Sequence, residues 1–464
     1  MKIKLKNLGP LQQAELELGD FTIICGKNNT GKTYATYAVY GFFDFWNKGY
    51  QLPLAKESVN QLFSKGKVTL NLPLYAKKAK KFISQACKEY TAILFKVFAA
   101  KESLFKGVNF SAEFNIKDEY LTESIEFQAG SAEQSLLQIT KEPDSHKLII
   151  SLMVDKNELD DIPSERIIRT VIGDTVKDLL FKKHIPRVFI ASAERTGSAI
   201  FQKELDFTRN RLVEFLGEKS SDFHPIKLLS KFSSEYPIPV RRNVDFIREL
   251  SSIANKDSFI YTKHLDILND FNKIAGGEYK VKKNGDVQYA PNSNKRLRLS
   301  MVESSSAVRS LLDIGFYLRH IAKPGDMLIV DEPELNLHPE NQRRIARLFV
   351  RLVNIGIKVF ITTHSDYIIK ELNTLIMLNK KSDYTNRIAD QEKYDKNEFI
   401  SPAKLKVFIA EDRLVLKKGN KRKTWCMSLT PADINPELGI EVKSFDTTID
   451  DMNRIQEALV WGDE

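Results

Sequence analysis

With 464 residues, 42% of them hydrophobic and 28% charged, the chain can bury a large core in two or three structural units and fits neither a disordered nor a fibrous class. No stretch approaches the roughly 18 uninterrupted apolar residues that a membrane span requires, and Met1-Lys2-Ile3-Lys4-Leu5 lacks the apolar block of a signal peptide, so a cytoplasmic protein without membrane contact is expected. The net charge of +9 suits contact with a polyanion such as DNA yet is also ordinary for a basic protein of this size, while Cys25, Cys87 and Cys426 fall in no zinc-like spacing and should be reduced, inert thiols.

Residues 2 to 8 and 11 to 19 read as short strands broken by Gly9-Pro10, and a third strand, Phe21 to Cys25, runs into Gly26-Lys27-Asn28-Asn29-Thr30-Gly31-Lys32-Thr33. Thr33 to Trp46 has the length of a helix and is apolar all round, as a buried helix would be. Residues 1 to 48 thus form the first part of an α/β head. From 49 to 185 the pattern changes to a helical region (76 to 105), strand-like stretches (110 to 116, 123 to 128, 147 to 154) and a helix (164 to 182). This is an α+β insertion, too rich in strands for coiled-coil arms and without sustained heptads. Arg187 to Ala191 reads as a returning buried strand, followed by the polar loop Ser192-Ala193-Glu194-Arg195-Thr196-Gly197. Helices near 199 to 217 and 241 to 275, and a hairpin at Lys282-Lys283-Asn284-Gly285-Asp286, complete the region 186 to 294. Residues 295 to 395 finish the parallel sheet of the head with helix 304 to 322, strand 327 to 331, helix 339 to 354 and strand 357 to 362. The remainder, 396 to 464, is a small α+β extension with a closing helix from about Ile449 to Leu459. Its basic cluster, Lys417 to Lys423, is either a solvated hairpin tip with Gly-Asn at the turn or a nucleic-acid or partner contact.

The loop from Gly26 to Thr33 has the residues that a triphosphate needs. Several negative charges must leave water without losing their hydrogen bonds, and the backbone N–H groups of residues 28 to 33, in a loop that Gly26 and Gly31 allow to turn tightly onto a helix N-terminus, can supply them. Lys32 would neutralise the β- and γ-phosphates of ATP and the Thr33 hydroxyl would ligate Mg²⁺; Lys27, Asn28, Asn29 and Thr30 complete the cradle. Strand 327 to 331 ends in two carboxylates at the place where open parallel sheets bind ligands. Asp331 would hold Mg²⁺, and Glu332 would polarise the attacking water, its direction fixed by Pro333. His364, after the next apolar strand, is either a capping or core histidine or a sensor of the γ-phosphate. Ser304-Ser305-Ser306 at a helix start is either an N-cap or an anion site.

Gly26 to Thr33, the serine cluster 304 to 306, Leu328 to Glu332, Asn336-Leu337-His338-Pro339 and His364, in this order, resemble the ABC-type ATPase heads of the RecF, Rad50 and SMC class. The resemblance is greatest to the OLD-like branch of bacterial and phage-defence ATPases, with Ala193 to Gly197 similar to an element of its defence members. It implies an ABC-type P-loop fold and an ATP-sandwich homodimer or higher homo-oligomer, with Ser304 or Ser305 acting in trans and the 334 to 338 loop communicating across the interface. It also implies a stand-alone ATPase that controls a separate effector protein, a nuclease or toxin, in phage defence. Two departures stand out. Ser306 and Ala307 occupy positions where that class commonly has glycine, which points to slow or conditional turnover, and no glutamine matches its metal-sensing loop. OLD nucleases add a TOPRIM module; Glu411 follows the strand Lys406 to Ala410, but no Asp-x-Asp comes after it, so a built-in nuclease is not expected. A RecF-like ATPase clamping duplex DNA and a nucleotide-bound scaffold with negligible turnover remain the alternatives.

Overall fold

Phe21 to Cys25 is buried at all five positions, the pattern of a parallel strand covered on both faces. In the computed structural model, which describes residues 1–114, 122, 124–130, 135–153, 164–200, 236–282, 285–294, 296–380, 382–415, 423–441 and 443–461, it is strand β1 at the centre of a six-stranded sheet. The other members are β2 (Val188–Ala191), β3 (Met327–Asp331), β4 (Lys358–Thr363), β5 (Leu405–Val415) and β6 (Thr424–Pro431), arranged in the order β6-β5-β1-β4-β3-β2. β1 to β5 are mutually parallel and β6 closes one edge antiparallel to β5. Register sets Asp331 beside Thr362 and Thr363 beside Cys25, so the carboxyl ends of β1, β4 and β3 are level.

Helix α1 (Lys32–Lys48) follows β1, and α2 (Arg195–Ile200) follows β2. Helix α3 (Ser306–Phe316) precedes β3, α4 (Pro339–Asn354) joins β3 to β4, and α5 (Asp366–Leu378) follows β4. α4 shows why these segments fold as they do. His338 caps its start and Pro339 pre-sets its first turn, while Ile345, Leu348, Phe349 and Leu352 recur at helical spacing and are buried against Phe21, Ile361 and Leu372. Each such side chain contributes about 1.5–3 kcal/mol on burial.

The chain divides into two compact units. One comprises residues 3–41, 93–109 and 188–464 and holds the six-stranded sheet. The other comprises residues 1–2, 42–92 and 110–187. This second unit has a four-stranded antiparallel sheet in the order Lys67–Asn71, Lys147–Leu152, Ser135–Lys141, Ile125–Gly130, and the helix Glu165–Phe181. Trp46 stacks on Tyr50 at 5.0 Å and meets Phe181 edge-on at 4.9 Å, and the buried Lys177 ammonium donates to the carbonyls of Trp46 and Tyr50.

Several local expectations need correcting. The stretch 241 to 275 is four helices, Ile238–Arg248, Leu250–Ile253, Phe259–Lys263 and Leu265–Ala275, because Ser258 caps a fresh start with its hydroxyl and ties its backbone to Arg319. The helix from 304 loosens into a π-turn over Tyr317–Ile321. β5 does not stop at Ala410 but continues to Val415, so Glu411 lies within a paired strand opposite Ser428. The hairpin near Gly285 forms, pairing Gly277–Val281 with Val287–Pro291. Most of the helix near 199 to 217, and the basic tip from Lys417 to Arg422, lie outside the described residues. Among the described residues no helix is long and apolar enough to cross a membrane, and the three cysteines are free and buried.

Candidate nucleotide site

The phosphate loop springs from β1 with left-handed backbone at Gly26 (φ 142°), Asn29 (φ 64°) and Gly31 (φ 89°). Turns of this kind aim successive N–H groups into one concave, anion-binding nest. Gly26 is required for a second reason: a Cβ there would lie 2.7 Å from the Ala410 carbonyl oxygen of β5. The loop is braced from within, since the Thr30 hydroxyl donates to the Lys27 carbonyl at 2.8 Å. Lys32 is buried, and its ammonium donates to the carbonyls of Gly26 at 3.0 Å and Lys27 at 2.8 Å. Burial lowers its pKa, partly offset by Glu332, Asp331 and Glu334. Lys27, Asn28 and Asn29 are exposed at the rim.

Asp331 ends β3 fully buried. Its Oδ1 accepts from the Thr362 hydroxyl, and its Oδ2 has no hydrogen-bond partner of good geometry among the described residues. Burial pushes its pKa up to about 6, against the pull of the Thr362 and Thr33 hydroxyls. Glu332 departs from the strand with φ 52°, a left-handed conformation uncommon for a residue with a side chain. His364 Nδ1 stands 3.6 Å from the Glu332 carboxylate and 3.2 Å from that of Glu334. The first distance is that of an ion pair rather than a hydrogen bond. His364 holds the Glu332 carboxyl below the usual range, and Glu332 in turn raises the imidazole pKa. Lys32, Thr33, Asp331, Glu332 and His364 therefore converge where β1, β3 and β4 end.

Ser305 is the N-cap of α3, its hydroxyl accepting from the Val308 N–H at 3.3 Å, and it is exposed. Ser304 is buried and donates to the Ser300 carbonyl at 2.8 Å. The capping reading holds for Ser305, and the hydrogen bonds of both serines are local. Neither is drawn into the cluster around Lys32 within this copy of the chain.

A profile of the family described as AAA ATPase domain matches residues 1–369, most of the chain. The chain belongs to that family. No curated protein matches this AAA ATPase domain chain in sequence. Among solved structures it is similar to an SMC head domain from Thermotoga maritima (9% identity, 93% of this chain and 98% of that one, TM-score 0.28). It is also similar to an Smc head domain with an extended coiled coil, bound to the C-terminal domain of ScpA derived from Pyrococcus furiosus (11% identity, 98% of each chain, TM-score 0.30). A third is an Smc head bound to the C-winged helix domain of ScpA (10% identity, 92% of this chain and 97% of that one, TM-score 0.32). The architecture of this AAA ATPase domain chain is mixed α/β, with a phosphate loop following the central strand of a six-stranded, largely parallel sheet.

Three members of the cluster escape a motif-based reading of this AAA ATPase domain chain. Glu334 is buried and its Oε1 accepts from the Thr363 hydroxyl at 2.9 Å and the His364 N–H at 2.7 Å, which fixes the start of the loop after β4. Its signal is the second carboxylate of Asp331-Glu332-Pro333-Glu334. Tyr37 of α1 donates to Glu194 Oε2 at 2.8 Å, linking the phosphate-loop helix to the Ala193 to Gly197 element. Arg195 of that element is fully buried against the end of β3. A polar loop gives no sequence sign that its arginine is a core residue.

Proposed function

We propose that this head binds ATP with Mg²⁺, adds water to the terminal phosphate, and assembles as ATP is held between two copies. The convergence of Lys32, Thr33, Asp331, Glu332 and His364 at the level ends of adjacent parallel strands carries the reading. The site suits the ion: Asp331 Oδ2 is a buried oxygen without a hydrogen-bond partner of good geometry among the described residues, and the Thr33 hydroxyl is near enough to lower that carboxyl's pKa. Two such hard oxygens leave the other positions to phosphate and water, which is how Mg²⁺ is usually bound. When bound, the ion neutralises charge on phosphate oxygens.

The chain's own groups do the remaining work. The Gly26 to Thr33 nest donates N–H groups to the phosphates, and Lys32, which rests on loop carbonyls, turns its ammonium to the β- and γ-oxygens. Glu332, kept ionised by His364, orients water and accepts its proton. His364, whose pKa that contact raises, donates to the γ-phosphate. Ser304 or Ser305, at the start of α3, completes the site from the second copy, and Ser305 is the exposed one of the two. The assembly then governs a separate effector, a nuclease or toxin, in phage defence, a reading supported by the similarity of Ala193 to Gly197 to an element of the defence branch of that class.

Isothermal titration with a non-cleavable ATP mimic and Mg²⁺ tests the site. The wild-type chain should bind, and Lys32→Ala should give no binding heat; unchanged affinity in that variant would refute the phosphate-loop assignment. Mass spectrometry of proteins that co-purify with the native chain tests the effector, and recovery of the chain alone in the presence of ATP would remove it.

A further inference from the structure

We propose that Arg195 is a positioning residue for Glu332, its guanidinium clamping the left-handed backbone on which the water-orienting carboxylate is mounted. This rests on the role given to Glu332 above. Arg195 has no exposed surface, and burying a cation costs heavily unless its donors are used. All of its identified bonds go to main-chain carbonyls. Nε donates to Ser310 of α3 at 2.7 Å, Nη1 to Ser192 and to Asp331 at 2.8 Å each, and Nη2 to Glu332 at 2.9 Å.

The last two contacts matter most, because they grip successive peptide units at the end of β3. Glu332 has φ 52°, an arrangement that persists only where its surroundings over-determine it. Its N–H is held from β4 by the carbonyl and hydroxyl of Thr362, at 3.2 and 3.1 Å. Its carbonyl is held by Arg195. With the arginine gone, the carbonyls of the peptide units on both sides of the Glu332 Cα lose this anchor, the residue is free to relax toward extended backbone, and the carboxylate swings away from the water. A planar fork that reaches four carbonyls at once cannot be copied by a lysine ammonium. A tie serving only to hold α2 and α3 to the sheet would not need to reach Glu332, and hydrophobic replacements commonly serve such ties as well as buried charges do.

The test uses the full chain in two forms. Arg195→Lys keeps the charge, and Arg195→Met combined with Asp313→Leu removes the cation together with the buried carboxylate that faces it. Affinity for the non-cleavable ATP mimic and the single-turnover rate are measured for each, alone and on a Glu332→Gln background. We expect hydrolysis to fall roughly 100-fold at unchanged nucleotide affinity, with less than about a twofold further loss on the Glu332→Gln background, since two residues acting through one step are not additive. Wild-type turnover in either form, an equal loss on both backgrounds, or a parallel loss of nucleotide affinity would overturn the proposal. Failure of both forms to fold would assign Arg195 a structural tie instead. Absence of turnover in the wild type would sink the reading of the site itself, and the positioning role with it.

Discussion

Glu332 and Asp331 are neighbours in sequence but experience different surroundings. Asp331 is sealed in the sheet and Glu332 sits half-buried against His364, so the carboxylate proposed to hold the metal and the one proposed to orient water are separated by a single change of backbone hand. Glu332→Gln should therefore retain nucleotide binding and lose hydrolysis by a factor of about 100 or more, read as bound ATP that remains intact after many wild-type turnovers. Asp313 of α3 offers a second test. Both of its carboxylate oxygens are buried without hydrogen bonds among the described residues, and burial pushes its pKa from 3.8 up to about 7 despite Arg195. A raised folded-state value favours the protonated form, so its stabilising contribution is complete below the unfolded pKa and is lost as pH rises to about 7. Asp313→Asn should flatten that slope: melting temperatures compared between pH 3.5 and pH 8 should differ least at the acid end and favour the variant increasingly at high pH. The loss spans on the order of 4 kcal/mol, and parallel pH profiles would show that Asp313 is not responsible.

Elements whose sequence signal is local were legible in the chain. β1, β3 and α4 are a five-residue apolar run, an apolar run closed by Asp-Glu-Pro, and a capped amphipathic stretch, and their boundaries follow from those features. Elements defined by distant partners were not. β5 extends past Ala410 because β6 supplies a ladder as far as Thr424, and the strand at Ser135 to Lys141 is settled by neighbours on both sides rather than by its own alternation. The site follows the same rule. Lys32, Thr33, Asp331, Glu332 and His364 announce themselves by motif, whereas Arg195 and Glu334 earn their places through three-dimensional contacts. At this scale Gly26→Ala should be severe: the added methyl meets the Ala410 carbonyl at 2.7 Å and φ is 142°. We expect loss of nucleotide binding together with a lower melting temperature, and a variant that binds normally would show that the β5 contact yields. Ser305→Ala removes a cap and should cost about 1 kcal/mol, whereas Ser305→Arg should in addition abolish turnover if the second copy completes the site; intact hydrolysis would exclude that contact.

For the whole molecule, the ATP-bound state and the assembled state should be the same state. Glu332→Gln, which holds ATP without cleaving it, should show a doubled or greater mass by light scattering when ATP and Mg²⁺ are added, and the Lys32→Ala chain should remain at the mass of the free protein. An unchanged mass for Glu332→Gln would rule out ATP sandwiching. The net charge of +9 gives a further global handle. A duplex-DNA clamp should lose affinity by several powers of ten between 50 and 200 mM salt, as about 6–10 neutralised phosphates dictate, while an effector-controlling assembly should form across that range.

β1 has its two sheet partners at Val359 and Leu405, both opposite Phe21. During synthesis the phosphate-loop strand therefore leaves the ribosome with neither neighbour made, and waits while more than three hundred further residues are added. The long sequence separation slows closure of these pairs, and until they close the strand's edges are open to wrong partners. Nascent chains arrested before Leu405 should thus require a chaperone to stay out of aggregates, and competence to take up nucleotide should arrive late, with β5.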